Sequence, residues 1–300
     1  MSLLVVGSIA YDSIETPFGV EDDILGGSAS YFSVAASHFT DVKIVAAVGE
    51  DFSHESVYKE HNIDIQGLER LPGKTFRWKG EYRGDMNEAI THRTELNVFE
   101  NFSPHIPETY LECKYIFLAN IDPVLQYKTL KNFENPKALA CDTMNFWIDG
   151  SREALDKVIS EVGILIINEQ EARSLAGVQN ILEAARAIQA RGPQTVIIKR
   201  GEYGALAYSS DDLFALPGLP LDSVKDPTGA GDSFAGGFMG YLAGTGSAPE
   251  SASLRSAVVY GSVMASFAVE AFGLGRLREV RKQEIETRFE AFRKLTQFEI

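Results

Sequence analysis

Six short apolar runs punctuate this chain, at residues 3–7, 42–48, 115–119, 138–141, 164–167 and 195–199. Segments with apolar residues at helical spacing fall among and after them, at 28–39, 151–160, 181–191, 233–243, 252–270 and 281–294. A run too short for a helix, ended by glycine or a polar group and followed by an amphipathic stretch, is the pattern of a buried parallel strand and its crossover helix. Repeated along a chain, it predicts an α/β fold with a doubly wound, mostly parallel sheet flanked by helices. Ligands then gather beyond the carboxyl ends of the strands. Residues 75–83 and 91–99 depart from the pattern: Thr75-Phe76-Arg77-Trp78-Lys79-Gly80-Glu81-Tyr82-Arg83 alternates polar with bulky groups. Such alternation predicts exposed antiparallel strands. With no internal repeat and no long linker, the expectation is one domain over 1–300, carrying a small antiparallel β-lid inserted at about 70–100 and drawing on 9–24 as well.

At 300 residues, 45% hydrophobic and 23% charged, the chain is long and apolar enough for a full core. A formal net charge of −14 argues against a binder of nucleic-acid backbone. Cys113 and Cys141 lack metal-ligand spacing and read as buried thiols in a reducing cytosol. The opening run carries no basic segment and is too short for a signal peptide, and no apolar run approaches the roughly 18 residues of a membrane span. The expected location is the cytoplasm, with neither membrane nor nucleic acid as partner. The five histidines, at 38, 54, 61, 92 and 105, show no zinc spacing, and no G-x-S-x-G elbow supports a serine triad.

Chemistry concentrates in Asp226-Pro227-Thr228-Gly229-Ala230-Gly231-Asp232-Ser233, which follows a strand-like segment and runs into an apolar helical pattern. Glycines at 229 and 231 allow close backbone approach, and the free N–H groups of a helix N-terminus attract an anion. Asp232 then stands beside that anion as a proton acceptor, the pairing a phosphoryl-transfer enzyme needs. A glycine turn with an acid in the first helical turn is the plainer account. The string is not a Walker A loop, since no Gly-Lys-Ser/Thr follows, and it lacks the third glycine of the dinucleotide fingerprint.

Other candidates follow strand ends. Asn168 and Glu171 read either as a capping box or as groups ordering the water shell of Mg²⁺. Lys199-Arg200-Gly201-Glu202-Tyr203-Gly204 reads as a hairpin loop or as a flat turn against a nucleotide. Asp12 alone suggests a turn residue, and Gly26-Gly27 a turn.

Taken in order, Asp12, Gly26-Gly27, an alternating segment, Asn168/Glu171, Gly201/Gly204 and the 226–232 string resemble the ribokinase-like, PfkB-type carbohydrate kinases over nearly the whole chain. The resemblance implies a kinase that uses ATP and Mg²⁺ to phosphorylate a hydroxyl of a small sugar or polyol. Gly229, Ala230 and Gly231 would offer amides to the transferring group and Asp232 would be the base. Asn168, Glu171, Lys199, Gly201, Gly204 and Thr228 would lie on the nucleotide side, with Mg²⁺ held through water at Glu171. Asp12, Gly26, Gly27 and Tyr31 would lie on the acceptor side. K⁺ is a further candidate ion, at Asp226 and near Gly273. The family often carries Thr where Lys199 stands, and Asn where Tyr31 stands. Asp142-Thr143-Met144-Asn145-Phe146-Trp147 resembles the family's Asp-x-Asn segment with one residue more, and reads as supporting architecture. Phe76, Trp78 and Tyr82 on one lid face suggest an exposed patch that pairs two subunits. Alternatives are a nucleoside kinase, with Tyr31 and lid aromatics stacking a base; a sugar-phosphate kinase, with Arg77, Lys79, Arg83 and Arg93 gripping the phosphate; and a non-catalytic nucleotide- or sugar-binding regulator.

Overall fold

All six apolar runs become strands of one nine-stranded sheet in the computed structural model, which describes residues 2–297. In chain order the strands are β1 (Ser2–Val6), β2 (Ala10–Thr16), β3 (Gly19–Gly26), β4 (Asp41–Val48), β5 (Asp64–Arg70), β6 (Phe76–Tyr82) and β7 (Ala89–Glu95). Then come β8 (Tyr115–Leu118), β9 (Ala138–Cys141), β10 (Ile164–Asn168), β11 (Thr195–Lys199), β12 (Ala205–Ser209) and β13 (Leu213–Leu216). The large sheet runs β13-β12-β11-β10-β9-β8-β1-β4-β5, and only β12 and β13 are antiparallel to their neighbours. From β1 the chain proceeds outward to β4 and β5, then returns to β8 and builds the other way. That reversal opens a crevice above the carboxyl ends of the central strands.

Both sheet faces are apolar because both are covered. On one face Leu3, Val5, Ile44, Phe117, Ile166 and Ile197 belong to a core built with α1 (Ser28–Ser37), α2 (Glu55–Glu60) and later helices. On the other, Leu4, Val6, Ile116, Leu165 and Ile198 meet α3 (Pro123–Leu130), α4 (Asn145–Gly150), α5 (Arg152–Ile159), α6 (Glu169–Ala176) and α7 (Ile181–Gln189). The later helices of the first face are α8 (Ala230–Thr245), α9 (Ser251–Ala268), α10 (Gly275–Glu279) and α11 (Lys282–Thr296). Among the described residues no helix is long and apolar enough to cross a membrane.

The small sheet has the order β3-β2-β6-β7. Its two outer pairs are antiparallel, β6–β7 as the alternation predicts, but the central pair β2–β6 is parallel, with Asp12 opposite Trp78. The strand expected at 91–99 instead starts at Ala89 and stops at Glu95. Asn97 takes a positive φ of 51°, its side-chain amide donates to the Thr75 carbonyl at 3.0 Å, and residues 97–101 tighten into a turn that buries Val98.

The expected aromatic patch is not exposed. Phe76 stacks on Phe99 at 5.6 Å between centroids, Trp78 donates its indole N–H to Thr91 Oγ1 at 3.2 Å, and Tyr82 is buried. Exposed apolar groups on this sheet and its turn are Phe18, Val20 and Ile90. The basic groups weighed for a sugar phosphate are largely engaged as well: Arg77 with Asp23 and Asp51, Arg83 with Glu81, Arg93 with Glu95.

Candidate active site

The signature forms the turn that opens α8, and its first residue fastens two loops together. Asp226 is fully buried; its Oδ1 accepts the Thr228 N–H at 2.9 Å and its Oδ2 the Gly273 N–H at 3.0 Å. Gly229 caps the helix with a φ of 71°. The Ala230 N–H, expected to serve an anion, bends back to the Pro227 carbonyl at 3.2 Å. The amides of Gly229, Gly231 and Asp232 find no protein partner among the described residues, so the turn still presents donors where the helix dipole favours negative charge.

Its glycines serve neighbours more directly than a ligand. A Cβ on Gly229 would stand 2.3 Å from the ring of Tyr31, and one on Gly231 would stand 2.8 Å from Lys199 Nζ. Spacing alone suggested room for phosphate; the structure shows a tyrosine and an ammonium already against the turn.

Charge is concentrated at the strand ends. Lys199 closes β11 in register with Asn168 at the end of β10. Around it stand Asp232 in the first turn of α8, Glu171 in the first turn of α6, and Asp142 just past β9. Burial pushes Asp232 up to about 6, with Lys199 pulling the other way. Burial also raises Asp142 well above the usual carboxylate range, helped by Asp232 and opposed by Lys199. Glu171 is raised by burial and lowered by Lys199 and the Asn168 N–H.

Asn168 and Glu171 form the capping box in full: Asn168 Oδ1 accepts the Glu171 N–H, and Glu171 Oε2 the Asn168 N–H, each at 2.8 Å. Glu171 Oε1 has no partner among the described residues, and Asp142 Oδ1 is buried without a hydrogen bond. Two unengaged carboxylate oxygens beside an anion turn suit a hydrated divalent cation, which keeps several waters and takes few protein ligands. Asp142 was read from sequence as architecture alone. Its place directly after an apolar strand, like those of Asn168 and Lys199, was the signal that pointed to the crevice.

Beyond β11, Gly201 and Gly204 adopt positive φ values of 55° and 89°, and the Arg200 N–H donates to the Gly204 carbonyl at 2.8 Å. The loop is a tight turn whose outer side meets the turn between β6 and β7, since a Cβ on Gly201 would lie 2.6 Å from Asn87 Oδ1.

The part of the crevice around Asp12 is equally enclosed. Asp12, on β2 of the small sheet, is 4% exposed. Burial lifts its carboxyl to about 7, the Gly27 N–H restrains it, and Asp226 and Asp232 add to the rise. Gly26 lacks a Cβ because the Asp12 carboxylate fills that space, 1.8 Å from where the atom would be. Gly27, at φ 88°, lets the backbone of 8–10 pass 2.6 Å from its own missing Cβ. Tyr31 is 1% exposed with its hydroxyl unbonded, so its ring is not available to stack a base. Thr228 donates its hydroxyl to Tyr82 of the small sheet at 3.3 Å. With the contacts at Thr228 and Gly201, the small sheet lies shut over the crevice. A cavity of about 490 Å³ opens at the opposite end of the large sheet, lined by Leu130, Leu139, Val162 and Gln194 among others, and no signature residue reaches it.

A sequence model of the pfkB family carbohydrate kinases matches residues 3–280. The chain is similar to a cytidine kinase of Thermococcus kodakarensis, 31% identical over 252 residues that cover 81% of this chain and 90% of the relative. Its fold resembles a nucleoside kinase of Methanocaldococcus jannaschii, with a TM-score of 0.77 at 22% identity, covering 97% of this chain and 98% of that one. It also resembles an E. coli ribokinase-type protein solved with ATP and Mg²⁺, with a TM-score of 0.77 at 21% identity, covering 97% of this chain and 99% of the other.

Proposed function

Because this chain belongs to the pfkB family of carbohydrate kinases, we propose that it transfers the γ-phosphoryl group of ATP to a ribose hydroxyl of a nucleoside, cytidine being the first to test. The observation that carries the phosphoryl-transfer part of this reading is the placement of Asp232 among the unpartnered amides at the start of α8, with Lys199 of the nucleotide loop against the same turn. A free sugar or polyol, the acceptor the motifs suggested first, gives way because the 31% identical relative acts on a nucleoside. The small sheet is the lid of one kinase domain, and its exposed Phe18, Val20 and Ile90 are the surface we assign to a homodimer contact. The free, buried Cys113 and Cys141 agree with a cytoplasmic location.

In this mechanism Asp12 accepts a hydrogen bond from the acceptor and orients it. Asp232 takes the hydroxyl proton as the new O–P bond forms and the bond to ADP breaks. The amides of Gly229 and Gly231 hold the transferring oxygens, and Lys199, Gly201, Gly204 and Thr228 border the nucleotide. Asn168, Glu171 and Asp142 would hold the water shell of Mg²⁺, which neutralises phosphate charge when bound. Lid closure excludes water as a competing acceptor.

ADP release with Mg·ATP across nucleosides, pentoses, hexoses, inositols and sugar phosphates tests the reading. Turnover with cytidine or another nucleoside supports it. Turnover confined to free sugars would overturn the nucleoside assignment and leave the kinase intact.

The site also dictates opposite pH responses for activity and stability. The base must be ionised, so kcat/KM should fall as pH drops through 6, by about tenfold for each further unit. Stability runs the other way, because the Asp12 and Asp232 carboxyls both have folded-state values raised above ordinary ones. Their contribution is fully present at low pH and is lost as pH rises through 6 and 7. His38 and His61, held below the usual imidazole range by burial, push the other way, so the test is a comparison by calorimetry of the ligand-free protein. The Tm difference between pH 6 and pH 8 should shift toward higher Tm at pH 8 in Asp12→Asn relative to wild type, and an unchanged difference would contradict the burial of this carboxyl.

A further inference from the structure

Lys199 is a cation set among the carboxyl groups of the crevice. Its ammonium is pressed against the opening turn of α8, 2.8 Å from where a Gly231 Cβ would be. Asp232 on α8, Asp142 after β9 and Glu171 on α6 all feel its charge. Yet among the described residues it makes no hydrogen bond and no ion pair. The adjacent Arg200 behaves in the opposite way: it pairs with Glu169 at 2.6 Å and lies over the ring of Tyr203. A half-buried ammonium carries three donors, and the described residues take up none of them, so all three are free to meet a ligand.

The unpartnered Gly231 amide lies beside it, so an anion received there meets both a backbone donor and a full positive charge. Around them Asp12, Asp142, Glu171, Asp226 and Asp232 are all carboxylic groups. A polyphosphate entering such surroundings needs a fixed cation near the group being transferred.

We propose that Lys199 is a catalytic residue, donating from Nζ to the γ-phosphoryl oxygens received at Gly231. It keeps its proton throughout; the bond to ADP breaks, the bond to the acceptor oxygen forms, and the hydroxyl proton passes to Asp232. The same positive charge favours ionised Asp232 before transfer. The assignment rests on the kinase reading and not on the identity of the acceptor.

Titration calorimetry of Mg·ATP and Mg·ADP, without acceptor, reads the contact directly. Wild-type protein should prefer ATP over ADP. Lys199→Met should lose most of that preference while binding ADP with near wild-type affinity, which also reports an intact fold. Lys199→Arg should restore part of it. With cytidine as acceptor, Lys199→Met should lower kcat by about 10²–10³-fold, the range for removing one donor to developing charge. The acid limb of its kcat/KM profile should move to higher pH, because Lys199 holds the Asp232 carboxyl down. An unchanged ATP-to-ADP ratio in Lys199→Met overturns the assignment alone. Wild-type protein that binds neither nucleotide overturns the kinase reading and the assignment together.

Discussion

Replacing Asp232 with asparagine should lower kcat by about 10²–10⁴-fold and leave both KM values within a few-fold. The side chains are nearly isosteric, so the opening turn of α8 keeps its shape and its unpartnered amides. What disappears is the acceptor for the hydroxyl proton. Because burial holds Asp232 at about 6, its ionised form is a burden on the folded state at pH 8. The variant should therefore melt at a higher temperature than wild type at that pH. Rising stability with collapsing turnover separates a lost base from a damaged fold. Turnover within tenfold of wild type would remove Asp232 from the chemistry.

Gly229→Ala should be nearly as damaging by a different route. The added Cβ would lie 2.3 Å from Tyr31, whose ring is enclosed and has nowhere to retreat. The φ of 71° adds a left-handed strain of about 1–2 kcal/mol for any residue with a side chain. Overpacking typically contributes about 1–3 kcal/mol more, so Tm should fall by several degrees. The turn must shift to relieve the contact, carrying the Gly231 amide and Asp232 with it. Displacement of about 1 Å is enough for a 10²-fold loss in kcat/KM. The Tm losses of Gly229→Ala and Tyr31→Ala should combine less than additively, because the clash is absent once the ring is gone. A single variant with wild-type activity would mean that the turn does not hold the transferring group.

Central strands were legible because burial on both faces makes them continuously apolar; Ile164-Leu165-Ile166-Ile167 can be little else. Edge strand β5 was not, since its polar residues alternate beneath one covered face and its pairing with β4 is interrupted by an irregularity. The parallel pairing of β2 with β6 left no local trace, because the partners lie more than 60 residues apart and register is a tertiary fact. Within the site, residue types and order marked the 226–232 turn and the strand-end groups. Which neighbour occupies the space beside each glycine was invisible. Gly26 looked like room for a ligand and proved to be room for Asp12, and Gly229 proved to be room for Tyr31. Tyr31 itself shows the limit of composition, since an enclosed tyrosine and a stacking one are the same letter.

Asp12 belongs to β2, so the group assigned to the acceptor is part of the cover and not of the base. Any swing of that sheet moves the carboxylate, and any pull on the carboxylate moves the sheet. On the proposed kinase reading, discrimination becomes mechanical: an ill-fitting guest is gripped weakly and also fails to latch the door, so one mismatch is counted in occupancy and again in the closed fraction.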